Sequence, residues 1–241
     1  MSWKDNLTVV LVEPRNPLNI GAAARAMANF GFTRLALAAP YEVAFREARS
    51  AVGAAAVLEA ARVAPTLGEA LEGCTLVVGT ASPEGRVFRH GRLRLPEGAR
   101  RLRAHLESGR AALLFGSEKF GLSNEQLSYC DWVLRIPTEP DCPSMNLGQA
   151  VAVCSYELAR MAAARPRAAT PQRAAADQRE RIAGRLERVL EASGYIPGRT
   201  RGSQRLKIRR LVTRLALSGE DAQVMEGMLR QIEWKLGGRE G

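Results

Sequence analysis

Histidine is nearly absent from this 241-residue sequence, with only His90 and His105, and cysteine is scarce, with Cys74, Cys130, Cys142 and Cys154 forming no C-x-x-C pair. A zinc site and a disulfide framework are both poor readings, and mostly buried, reduced thiols are expected. No metal is expected. A Ser-His-Asp hydrolase would have to recruit one of the two histidines, and the nucleophile elbow G-x-S-x-G is missing. No G-x-x-x-x-G-K-[ST] loop occurs and no G-x-G-x-x-G follows the first apolar run, which argues against a P-loop NTPase and a Rossmann dinucleotide enzyme. No segment approaches the roughly 20 apolar residues of a membrane span. The opening Met1-Ser-Trp-Lys-Asp-Asn leads straight into Leu7-Thr-Val-Val-Leu-Val12 without a signal peptide's layout, so a cytoplasmic protein is expected.

What the chain has in excess is positive charge. Its formal net charge is +10 and its sequence pI about 10.2. Between Arg160 and Arg214 fifteen Lys/Arg residues face four acids, a net +11, so the remainder is close to neutral. Clustered cations suit a polyanionic partner, because neutralising phosphates releases counterions. Solvated arginines on helix faces would give the same composition.

The first 160 or so residues alternate short β-branched runs with amphipathic or alanine-rich stretches. The pattern predicts strands at Leu7–Val12, Arg34–Leu37, Cys74–Thr80, Ala111–Phe115 and Trp132–Ile136. It predicts helices at Ile20–Phe30, Arg46–Ala61, Leu67–Leu71, Ala99–Glu107, Asn124–Cys130 and Leu147–Ala164. Strands separated by helices imply an α/β domain with a mainly parallel sheet, whose functional loops lie at the carboxyl ends of the strands. The expected organisation is an α/β domain over 1–162, a Pro- and Ala-rich linker over 163–178 and a basic helical extension over 179–241. In that extension helices are expected at Arg179–Ala192 and Gln204–Leu217, with Ser218 capping a last one.

Three loops close behind strands carry the chemistry. In the first, Asn16, Asn19 and Gly21 shape a strand-to-helix turn and Arg25 lies one helical turn past Gly21. In the second, Leu114-Phe-Gly-Ser-Glu-Lys-Phe-Gly-Leu122, Gly116 and Gly121 bracket Glu118. The third, Ile136 to Ala150, is stiffened by prolines and brings Ser144 and Asn146 to a helix start. Taken singly, each reads equally well as a connection, a loop or an N-cap.

In this order, the three resemble the motifs of the SPOUT-class RNA methyltransferases, SpoU- or TrmH-like branch, and within it the TrmJ-type tRNA 2′-O-methyltransferases. Asn19, Gly21 and Arg25 match the first motif. Phe115, Gly116, Glu118, Gly121 and Leu122 match the second, F-G-x-E-x-x-G-L. Ser144, Asn146, Leu147, Ala150 and Val151 match the third, S-L-N-L-x-x-A-V, with Met145 replacing leucine at conserved volume. The resemblance covers residues 5 to about 162. It implies S-adenosylmethionine as cofactor, a deep C-terminal trefoil knot, a homodimer and transfer to a ribose 2′-hydroxyl. The implied target is tRNA, at the pyrimidine of anticodon-loop position 32; rRNA methylation, or a non-catalytic RNA-binding knotted protein, are the alternatives.

By position, Thr80, Ala81, Ser82, Gly116, Ile136, Ser144, Met145 and Asn146 would surround the cofactor. Arg25 would be the main catalytic residue. It would act as a base or, since a guanidinium stays protonated below about pH 12, as the holder of a phosphate and a developing alkoxide. Asn19 and Glu118 would hold Arg25 or the ribose, Ser144 would orient the nucleophile and Asn146 would complete the catalytic set. The basic tail, through Arg199, Arg201, Arg205 and Lys207, would track RNA phosphates.

Overall fold

A computed structural model describes residues 2–41, 54–81, 91–160, 173–196 and 201–237, and of Arg201 the backbone alone. Seven strands form one sheet in the order β3-β2-β1-β6-β4-β7-β5, every pair parallel. They are β1 (Leu7–Val12), β2 (Leu35–Ala38), β3 (Arg62–Ala64), β4 (Leu76–Thr80), β5 (Arg92–Arg94), β6 (Ala111–Phe115) and β7 (Trp132–Arg135).

The central strands are apolar on both faces because both are covered. Leu7, Val9 and Leu11 of β1 join the core beneath α1 (Pro17–Asn29), α2 (Ala55–Glu59), α4 (Leu95–His105) and α6 (Leu147–Arg160). Val10 and Val12, one residue out of phase, enter the opposite core with residues of α3 (Leu67–Ala70) and α5 (Asn124–Leu127). Period-two alternation thus sorts one continuous apolar run into two cores.

Strands β1 and β6 fall where expected, and the other three expected strands differ only at their ends. Two strands went unanticipated. Both β3 and β5 are three-residue edge strands with exposed arginines, and each pairs with a single neighbour, so neither shows the apolar run that marks a strand. Helix α1 starts three residues earlier than expected: Pro17 occupies its first turn, where the missing N–H costs nothing, and Asn16 caps it by accepting from Leu18 N at 2.9 Å. The expected helix Arg46–Ala61 lies partly outside the described residues.

The extension consists of α7 (Ala176–Ala192), α8 (Arg201–Leu215) and α9 (Gly219–Gly237) around a small core of Ile182, Ile196, Ile208, Val212, Ala222 and Leu229. Helix α7 begins inside the stretch read as linker, and Ser218 caps α9 by accepting from Asp221 N at 3.0 Å. The extension is fastened to the amino ends of β4 and β7. Ala176 N donates to Cys74 O at 2.7 Å and Gly73 N to Asp177 Oδ1 at 3.2 Å. Arg173 and Arg179 each place Nη1 2.9 Å from Asp131 Oδ1, while Asp131 Oδ2 accepts from Val77 N at 2.8 Å. Arg209 reaches Ser128 Oγ at 3.1 Å, pairs with Glu180 at 2.7 Å and lies over the Tyr129 ring.

Candidate functional site

At the other end of the sheet, the carboxyl ends of β4, β6 and β7 open into a cavity of about 290 Å³. Its wall includes Thr80 and Ala81 after β4, residues 115–122 after β6, and Ile136, Thr138, Pro143, Ser144 and Met145 after β7. Thr80 Oγ1 donates to Leu114 O at 2.8 Å and Ala81 N to Leu134 O at 3.2 Å, so the end of β4 is pinned to both neighbours. Leu122, Leu134, Ile136, Met145 and Leu147 supply an apolar lining.

The loop after β6 is closed by Gly121 N donating to Ser117 O at 2.8 Å, with Gly121 at φ +63°. Gly116 has no room for a side chain: a Cβ there would lie 2.0 Å from the carbonyl carbon of Gly121. These two glycines let the loop fold back on the strand end. Glu118 is thereby aimed at the turn after β1. It accepts from Asn16 N at 3.1 Å, Arg15 N at 3.3 Å and Asn19 Nδ2 at 3.2 Å. Asn19 Oδ1 in turn accepts from Asn146 Nδ2 at 2.9 Å. Partial burial pushes the Glu118 carboxyl up, but the hydrogen bonds from its own loop backbone, Asn19, Asn16 and Arg15 together hold it below its ordinary value. A second tie runs from Gln126 Nε2 to Glu13 Oε1 at 2.8 Å, Glu13 being the left-handed residue (φ +51°) that ends β1.

The three sequence motifs therefore meet through Asn19, Glu118 and Asn146. Of the residues expected around a cofactor, Thr80, Ala81, Gly116, Ile136, Ser144 and Met145 line the cavity, and Ser82 lies outside the described residues. Asn146 is not in the wall. Its side chain caps α6, accepting from Gly148 N at 2.9 Å, and bonds to Asn19. Nor is Arg25 in the wall. It lies six residues beyond Asn19, about 240° round the helix axis, exposed on α1 with no hydrogen bond or ion pair to a described residue.

The tail's charge is distributed differently from the expectation drawn from composition. Most of its described arginines are neutralised internally: Arg181 by Asp177 and Glu226, Arg185 and Arg188 by Glu233, Arg209 by Glu180. Arg205 lies 3.7 Å from Glu187, so it too has a carboxylate partner. Arg199 lies outside the described residues. Lys207 is exposed, and with Arg210 and Arg214 it forms an i, i+3, i+7 stripe opposite buried Ile208 and Val212; none of the three pairs with a described acid. The sequence reading passed over Arg210 and Arg214, although their spacing from Lys207 was there to be seen.

No helix among the described residues is long and apolar enough to cross a membrane. Residues 6–156 match the SpoU rRNA Methylase family. The chain is 36% identical over 244 residues to the tRNA (cytidine/uridine/adenosine-2′-O-)-methyltransferase TrmJ of Pseudomonas aeruginosa (strain UCBPP-PA14), covering 95% of this chain and 94% of that one. To the tRNA (cytidine/uridine-2′-O-)-methyltransferase TrmJ of Pectobacterium atrosepticum it is 34% identical over 235 residues, covering 95% and 97%. The crystal structure of TrmJ from Z. mobilis ZM4 superimposes with a TM-score of 0.81 at 30% identity, over 94% of this chain and 98% of the other. A seven-stranded parallel sheet, a cavity where its strands end and three motifs joined beside it agree with these likenesses: the chain belongs to the SpoU methylase family.

Proposed function

We propose that this protein transfers a methyl group from S-adenosylmethionine to a ribose 2′-hydroxyl of tRNA, with the pyrimidine of anticodon-loop position 32 as acceptor. The observation that carries this reading is the hydrogen-bonded chain Asn146–Asn19–Glu118 at the edge of the cavity. The same reading includes the C-terminal trefoil knot and a homodimer.

The cavity suits a nucleoside-like cofactor. Its volume lies near the lower end of the roughly 300–1,000 Å³ typical of small-molecule sites, and its walls combine apolar residues with the loops at the strand ends. Thr80, Ala81, Gly116, Ile136, Ser144 and Met145 would hold it, Ile136, Met145 and Leu147 covering the base. When bound, the cofactor supplies an electrophilic methyl on a sulfonium. The chain's own task is alignment of the acceptor oxygen and loss of its proton. Ser144, exposed at the rim, orients the hydroxyl. Arg25, which lies outside the wall of its own cavity, would reach the site across the homodimer, bind the phosphate beside the acceptor and favour the alkoxide as it develops. Asn19 and Glu118 keep the turn before Arg25 in one geometry.

Affinity for RNA comes from Lys207, Arg210 and Arg214 of α8, which pair with no described acid, together with Arg199 and Arg201. These cations follow phosphates without reading bases.

The test is incubation with labelled cofactor and unmodified tRNA or rRNA, followed by mapping of linkages that resist alkaline cleavage. A resistant linkage at position 32 of tRNA supports the reading. Label confined to rRNA, or absent from both, overturns it.

A further inference from the structure

Phe120 is the one large apolar side chain of the cavity wall that stands exposed among the described residues, at 66%. Leu122, Leu134 and Leu147 are buried, and Ile136 and Met145 are half-buried. Phe120 sits near the tip of the loop 117–121, whose ends are tied by Gly121 N to Ser117 O and whose middle is tied by Glu118 to the turn after β1. The ring is thus carried on a braced support, although it faces solvent. Beside it the Lys119 ammonium lies 5.2 Å from the ring centroid, close enough for a cation–π contact.

An exposed aromatic on a braced loop at the rim of a cavity, with a flexible lysine ammonium over its ring, matches what a single unstacked nucleotide requires. The π-face takes the base and the ammonium takes a phosphate. A base splayed out of the RNA stack needs a surface to receive it. Phe120 lies two residues past Glu118 on the same loop, so a base on its ring leaves the sugar on the Glu118 side of the cavity rim. We propose that Phe120 is the stacking platform for the base of the acceptor nucleotide, with Lys119 holding a neighbouring phosphate. Stacking tolerates any base, because every base has a π-face, so this platform admits pyrimidine and purine acceptors alike.

The inference rests on the methyl-transfer reading, and the two are separable by experiment. The wild-type protein is first assayed for transfer to tRNA; no transfer there rejects the reading itself. With transfer established, Phe120→Ala and Phe120→Trp are compared on a stem-loop RNA carrying 2-aminopurine at the nucleotide the wild type methylates. The wild type should quench 2-aminopurine fluorescence on binding. Phe120→Ala should lose that quenching and about tenfold in kcat/KM for RNA, Phe120→Trp should retain both, and all three should bind S-adenosylmethionine equally by calorimetry. Quenching that persists in Phe120→Ala overturns the proposal. So does a loss of cofactor affinity matching the loss of transfer, which would make Phe120 part of the cofactor's cover.

Discussion

Two carboxylates organise opposite ends of the same sheet, and their surroundings are opposite too. Asp131, before β7, has a side chain only 3% exposed, pairs with two guanidinium groups and accepts from a backbone N–H. Glu118, after β6, is exposed and satisfies three neutral donors, with no cation among its described partners. A buried charge with ionic partners is costly to disturb, whereas hydrogen bonds from neutral donors to an exposed carboxylate contribute about 1–2 kcal/mol each. The amino end of the sheet is therefore the fastening for the extension. The carboxyl end is held by bonds weak enough to admit a substrate and specific enough to place Asn19.

Removing either hub should break the molecule in a different way. The largest effect is expected for Asp131→Ala, which strands Arg179, itself 6% exposed, without a partner. Unfolding by denaturant should show a loss of about 3–5 kcal/mol, with the extension released before the sheet melts. Arg25→Ala should leave that stability unchanged and cut single-turnover transfer by about 10²–10³-fold, the scale of losing one donor to a developing oxyanion. Cofactor affinity, measured by calorimetry, should stay as it was; an equal loss of both would make Arg25 structural. Neutralising Lys207, Arg210 and Arg214 together should alter neither stability nor the chemical step. It should flatten the dependence of log affinity for tRNA on log salt by about 2 to 3, and an unchanged slope would remove α8 from the RNA surface.

The two ends also differ in how far the sequence disclosed them. The central strands and the three motif loops were legible because apolar runs and glycine or proline spacing are local signals. The edge strands Arg62–Ala64 and Arg92–Arg94 carry no such signal, since their pairing is decided by the neighbour rather than by their own residues. Glu118 was located by its motif, but two of its partners are the backbone N–H groups of Arg15 and Asn16, which no side-chain pattern encodes. The clamp at Asp131 was not anticipated. Arg179 lies 48 positions away in sequence, and a lone aspartate before a strand resembles any turn residue. Composition likewise sets only four acids against the fifteen cations between Arg160 and Arg214, whereas Glu226 and Glu233 of α9, beyond that stretch, also neutralise Arg181, Arg185 and Arg188.

The account turns on Glu118 acting as a positioning residue at a site for methyl transfer. Glu118→Ala, assayed for transfer to tRNA, for cofactor binding and for melting temperature, tests it most directly. Transfer should fall by about a hundredfold, the cost of a misplacement of about 1 Å, while cofactor binding stays close to wild type and the melting temperature falls by several degrees, the cost of three exposed hydrogen bonds. Undiminished transfer, or a protein that loses cofactor in the same proportion as activity, would contradict it.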